Sequence, residues 1–215
     1  MTFPVLAALL CLGRKYDIQK LRAEARKRIY AQYPTTLEEV RDWAGFDPPD
    51  RFRSAQLLAI ARRAGLVSIL PRVFYACCVL YNVSDLTAQG SDFSILPADQ
   101  MTCLTGHRAM CQAQAETTFA WAYSTQALAA GCATPQSCNG ARHRYLTTRF
   151  LPVAKDFGLQ DWSRTSTRID GMLCGGCLEV ARERHEAGRA EFWKRLPNFF
   201  NLPSWEELSK EREDM

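Results

Sequence analysis

The chain has 215 residues, 47% of them hydrophobic and 23% charged, with a formal net charge of +4. That composition supports a sizeable buried core and excludes the disordered class, while length alone allows one or two domains. The longest apolar run, Phe3 to Leu12, is too short to span a bilayer, and no basic segment precedes it as a signal peptide requires. The chain therefore reads as a soluble intracellular protein of the cytoplasm or nucleus. Nine cysteines cannot all pair internally, and in such a compartment they read as core residues or metal ligands rather than a disulfide framework.

Nearly every periodic segment is helical. In the first, Val5, Leu6, Leu9, Leu10 and Leu12 leave almost no polar face. A second helix follows a hinge at Asp17, whose carboxylate is expected to cap it, and sets Ile18, Leu21, Ala25 and Ile29 against Lys20, Arg22, Arg26 and Lys27. Thr36 and Glu39 stand at capping-box spacing and predict a helix towards Trp43, broken by Asp-Pro-Pro-Asp at 47–50. Next come a helix from Phe52 to Gly65 and one from near Pro71, with Phe74, Tyr75, Cys78 and Tyr81 facing the core. After a turn-rich stretch at 82–94, a long helix begins near Pro97 with Met101, Leu104, Cys111, Ala115, Phe119 and Ala122 on one side.

The last third changes character. Residues 131–140 read as a loop, 142–150 as a short helix, and a polar stretch at 155–171 leads to Cys174-Gly-Gly-Cys177. The strongest helical pattern follows: Leu178, Ala181, His185, Phe192 and Leu196 face one way, and Arg182 with Glu186 and Glu191 with Arg195 form i,i+4 pairs on the wet side. Ser204 and Glu207 repeat the capping-box spacing and start a terminal helix through Trp205 and Leu208. The predicted fold class is all-α, an array of about eight to ten helices.

Leu-Gly-Arg-Lys-Tyr-Asp-Ile at 12–18, followed by Leu-Arg-Ala-Glu-Ala at 21–25, resembles the last helix pair of a BTB/POZ domain in the version found in fungal BTB proteins. Residues 65–78, 185–197 and 202–208 are similar to the C-terminal region of the same proteins, so the likeness covers most of the chain. It implies three regions: a truncated BTB helix pair at 1–33, a BACK-like helical region at 34–130, and a C-terminal helical region at 131–215. It also implies a non-enzymatic adaptor or regulatory protein acting through protein partners, because BTB domains dimerise and recruit partners, among them cullin-type ligase scaffolds. The strands and first helices that make the dimer and cullin contacts are missing, so neither activity carries over. Without those strands the first helix is expected to leave an apolar patch, with Leu6 and Leu9 in it, that promotes self-association. Phe192, Trp193 and Trp205 are the aromatic candidates for partner contact, although for any one of them packing into the core is the favoured reading.

The chemistry-bearing residues are cysteines. Cys132 and Cys138 are separated by five residues in the predicted loop, Cys174 and Cys177 by two at a helix start, and two such pairs can converge on one tetrahedral zinc ion. Gly175 and Gly176 are expected to free N–H groups for the sulfurs, and Arg142, Arg144, Arg182 and Arg184 to offset thiolate charge. His143 or His185 is a substitute ligand. The alternative is a thiol-disulfide redox pair of Cys174 and Cys177 at a helix N-terminus, though that motif ordinarily follows a strand. A weak basic nucleic-acid binder comes third, on the cluster from Arg14 to Arg28. His185-Glu186 begins like HExxH but reaches Arg189 where the second histidine belongs. No GxSxG, phosphate loop or GxGxxG is present, which argues against an enzyme. Cys11, Cys77, Cys78, Cys103 and Cys111 read as core.

Overall fold

The computed structural model describes residues 3–40, 51–80, 82, 84–85, 95–154 and 157–213. Among them there are ten α-helices, two short 3₁₀ segments and no strand, an all-α architecture as the periodicity predicts. The helices are α1 (Phe3–Lys15), α2 (Gln19–Gln32), α3 (Arg51–Ala64), α4 (Leu70–Leu80), α5 (Pro97–Glu116), α6 (Ala120–Tyr123), α7 (Pro135–Phe150), α8 (Trp162–Ile169), α9 (Gly175–Arg195) and α10 (Trp205–Glu213). The chain forms two compact units, Met1–His107 with Leu196–Met215, and Arg108–Arg195. This division falls inside α5 and at the end of α9, and differs from boundaries at 33 and 130.

In the first unit, α1 packs on α2 and α3. Asp17 does not cap α2. It sits at φ 50 and closes α1 instead, with the Ile18 N–H bonded back to the Gly13 carbonyl at 2.9 Å, while α2 starts after Ile18 with no side-chain cap. A left-handed residue is what this six-to-one closure needs, and Asp is one of the few residues besides Gly that tolerate it. Gly65, at φ 70, closes α3 the same way, and fully buried Leu66 bonds back to Ala61 at 2.9 Å. Thr36 and Glu39 start no helix through Val40, whose N–H turns back to Leu37; the continuation to Trp43 and the 47–50 break lie outside the described residues. α4 is buried nearly all round, Cys77 and Cys78 included, and Phe74 stacks on Phe200 at 5.1 Å; Tyr81 also lies outside the described residues. The second capping box forms as predicted: the Ser204 hydroxyl accepts the Glu207 N–H at 3.3 Å, and the Glu207 carboxylate accepts the Ser204 N–H at 3.2 Å. Further along α10, the Glu211 carboxylate accepts from the Tyr30 hydroxyl and from the Ser68 N–H, which docks the terminal helix. Burial and that carboxylate push the Tyr30 hydroxyl up to about 12.

The buried residues of α5 are Asp99, Cys103, Gly106, Met110, Ala113 and Gln114, not the row through Met101, Leu104, Cys111 and Ala115. Met101 is 60% exposed. Small residues decide this: a Cβ on Gly106 would lie 2.3 Å from the Phe200 ring, so close packing, not bulk, selects the face. α5 ends at Glu116, and Phe119 and Ala122 belong to the segment beyond it. Cys11 is exposed and Cys111 half-buried, so neither is core.

The second unit is built around α9. Gly188 lies so close to the Thr117–Thr118 backbone that a Cβ would meet the Thr117 carbonyl oxygen at 2.3 Å, and the Phe192 ring fills the space beside Gly158. α8 arises inside the polar stretch where no helix is predicted: Asp161 caps it by accepting the Arg164 N–H at 3.1 Å, and Thr165 and Ile169 bury its one apolar edge. Glu191 approaches Arg195 at 3.9 Å as predicted, but Glu186 turns to Arg189 at 3.5 Å. Fully buried His185 stands between the Phe119 and Trp162 rings, each 5.3 Å away. Its Nε2 donates to the Gln160 carbonyl at 2.8 Å and its Nδ1 accepts from the Trp121 indole at 3.4 Å, which fixes the neutral tautomer.

Burial holds the His185 pKa below its ordinary value. The unfolded chain therefore binds the proton more readily, and stability present above about pH 6.5 is lost as pH falls through the lower folded-state value. Urea unfolding of the chelator-treated chain should show a plateau at neutral pH and a decline below it, and His185→Gln should flatten that decline while lowering the plateau.

Candidate metal centre

Two helix starts carry the four cysteines. Pro135 takes the first position of α7, where a missing N–H does no harm, so the helix begins seven residues earlier than the predicted one and takes in Cys138. The expected loop at 131–140 is thus half helix. Cys132 stays in the turn ahead of it, its N–H bonded to the Ala129 carbonyl at 3.2 Å. Cys174 immediately precedes α9, its carbonyl accepting the Leu178 N–H at 2.9 Å, and Cys177 lies in the first turn. Each pair therefore has one half-buried sulfur in irregular chain and one buried sulfur on a helix.

The four Sγ atoms all lie within 4.8 Å of one another, and those of Cys132 and Cys174 are 3.7 Å apart. A tetrahedral zinc site with Zn–S of about 2.3 Å has S···S edges of about 3.8 Å, so the quartet matches one metal ion. The sulfurs are also held by N–H groups. Cys138 accepts from the Cys174 N–H at 3.3 Å, Cys132 from the backbone of Thr134 and Cys177 from that of Ala129. These donors replace the ones expected from Gly175 and Gly176. Although burial alone would raise it, the Cys138 thiol is drawn down to about 7 by the Cys174 N–H, the Thr134 hydroxyl and the neighbouring thiols. The Cys132 thiol is pushed up to about 12 by desolvation and by its bond with Cys177. The bonds donated to Cys138 favour its thiolate, the form in which a cysteine binds a metal ion.

Of the four arginines expected to offset thiolate charge, Arg144, Arg182 and Arg184 are exposed and Arg142 is 3% exposed. Its guanidinium donates to the Trp121 carbonyl at 3.1 Å, the Gln126 carbonyl at 2.7 Å and the Asn139 side chain, while Nε has no partner. Burial lowers its pKa, opposed by the sulfurs of Cys177, Cys138 and Cys132. A buried cation is costly unless negative charge stands nearby, and thiolates at these cysteines would provide it. Arg142 follows Cys138 by four residues on the same helix face, a spacing that distinguishes it from the other three in the sequence itself.

Neither histidine completes the set. His143 is exposed on α7, and His185 is committed to Trp121 and Gln160. The expected contact residues are also placed differently: Leu6, Phe192 and Trp193 are buried, Phe192 against Gly158, and Leu9 and Trp205 are half-buried. The exposed large apolar residues here are instead Val5 and Leu12 on α1 and Tyr16 and Ile18 in the turn before α2, and helical spacing alone does not separate the first two from Leu6 and Leu10. No helix among the described residues is long and apolar enough to cross a membrane.

No protein-family model, curated protein or solved structure matches the chain, so the BTB likeness rests on the residues quoted for it.

Arg142→Gln should weaken metal binding by about 10- to 100-fold, the usual scale for a group outside the ligand set. Chelator competition would measure the loss. The cobalt-substituted variant should keep its thiolate charge-transfer band, because all four ligands remain.

Proposed function

We propose that this chain is a non-enzymatic protein-interaction module whose Arg108–Arg195 unit is locked by one structural zinc ion. The observation that carries this reading is the mutual approach of four sulfurs from two helix starts. All-thiolate tetrahedral sets select zinc or iron among the common ions, and a closed four-protein-ligand shell leaves no position for substrate, which is the mark of a structural site. A polynuclear iron–sulfur cluster would hold its cysteine sulfurs further apart, around several irons. The BTB-like pattern of α1 and α2 supports the interaction role: Val5 and Leu12 are each 45% exposed, and Arg14, Lys15 and Lys20 flank the patch. An apolar surface with a basic rim fits a protein partner with an apolar, acid-edged face.

Purified chain should contain one zinc per molecule by elemental analysis. At free zinc about a thousandfold above Kd, the ion should add about 4 kcal/mol to the stability of its unit. Chelation or Cys177→Ser should remove that increment; a chain that purifies without metal and gains no stability from added zinc would overturn the reading.

For the exposed patch, sedimentation velocity should show concentration-dependent association that Leu12→Lys with Tyr16→Lys abolishes. Both side chains face solvent, so the unfolding midpoint should stay within about 0.5 kcal/mol. A clean monomer over the whole range, unchanged by the double substitution, would count against α1 and α2 as the contact face.

A further inference from the structure

The four sulfurs are not equivalent. Cys138 and Cys177 are buried on the first turns of α7 and α9. Cys132 and Cys174 are half-buried, lie outside the helices and stand 3.7 Å apart. Cys174 also differs in its place: it immediately precedes the 21-residue helix α9, whose N-terminal end favours an anionic sulfur. A thiolate that solvent can reach is the one an oxidant meets first, and the half-buried Cys132 sulfur stands within reach of the half-buried Cys174 sulfur.

We propose that the Cys132–Cys174 edge is an oxidant-sensitive latch, at which a hydroperoxide joins the two sulfurs and expels the metal ion. The inference rests on the zinc reading above. The Cys174 thiolate attacks the distal oxygen of the hydroperoxide; the O–O bond breaks, and the leaving oxygen takes a proton to become water, or an alcohol from an organic hydroperoxide. Cys174 is then a sulfenic acid, no longer an anionic ligand. The Cys132 thiolate attacks that sulfur, the S–S bond forms, and the hydroxyl leaves with a proton as water. In sum, two thiolates lose two electrons, the peroxide gains them with two protons, and zinc departs with its charge unchanged. The redox reading that pairs Cys174 with Cys177 is replaced here by one pairing it with Cys132, because that is the accessible edge. Cys138 and Cys177 are left behind as thiols beside Arg142, ready to take zinc again once a thiol reductant opens the disulfide.

The test uses the full chain in a Cys11→Ser background, which removes the exposed thiol on α1. The zinc-loaded protein is treated with stoichiometric hydrogen peroxide, zinc release is followed with a chromophoric chelator, and disulfides are mapped by peptide mass spectrometry. The expected result is loss of the ion together with a Cys132–Cys174 linkage, reversed by reductant and zinc. Cys174→His, which keeps four ligands, should load zinc and release it about tenfold more slowly or less. A first disulfide between Cys138 and Cys177, release with no disulfide, or an unchanged rate in Cys174→His would overturn the latch while leaving structural zinc intact. Absence of zinc before any oxidant is added would overturn both readings.

Discussion

The second unit depends on one close approach: the starts of α7 and α9 must bring four sulfurs within 4.8 Å of one another. The chain just ahead of each helix also serves the sulfurs, since the Cys174 N–H is donated to Cys138 and the Thr134 backbone to Cys132. Cys177 is at the same time a member of the hydrophobic core, alongside Phe119, Trp121, Tyr145, Ile169 and Ala181. The ligand set therefore cannot shift without moving the core, and the core cannot loosen without opening the ligand set. Gly188 fixes the other end of α9 by letting it touch the Thr117–Thr118 backbone, where any side chain would collide.

Charge sharpens the case for a metal. A buried guanidinium held by two backbone carbonyls and an asparagine is neutralised by none of them, and the cysteine sulfurs act on it. Four thiolates around a divalent ion carry a net double negative charge, and Arg142 halves it within a low-dielectric interior, where the attraction is strongest. Residue chemistry and electrostatics thus converge on the same occupant from separate directions.

How far the sequence revealed this follows from what each feature depends on. Local chemistry was legible: the capping box at Ser204 and Glu207, the glycine stop at Gly65 and the two cysteine spacings all act within a few residues. Asp17 and Thr36 were misread because the same residue types serve two local structures, and tertiary packing chose the other one. The face of α5 was misread because hydrophobic periodicity weighs bulk, whereas Gly106 and Ala113 are buried for their smallness. α8 escaped notice because Asp161 and three spaced residues are a weak pattern inside a polar stretch. Leu6, Phe192 and Trp193 show the limit most clearly, since an aromatic or aliphatic side chain looks the same in a sequence whether it meets a partner or its own core.

The spacing of the ligands also says what the ion would hold. Cys132 and Cys138 enclose a short segment, as do Cys174 and Cys177, so either pair alone constrains little chain. Joining the pairs closes the segment from Cys138 to Cys174, which contains most of α7 and all of α8. Within it α8 has the weakest local pattern: it buries one edge, held by Asp161 at its start and by the Glu186 carboxylate accepting the Trp162 N–H at 3.2 Å. Loop-closure entropy rises with the length enclosed, so the contribution of the ion falls mainly here. The part of the fold with the weakest local code is accordingly the part the four sulfurs enclose.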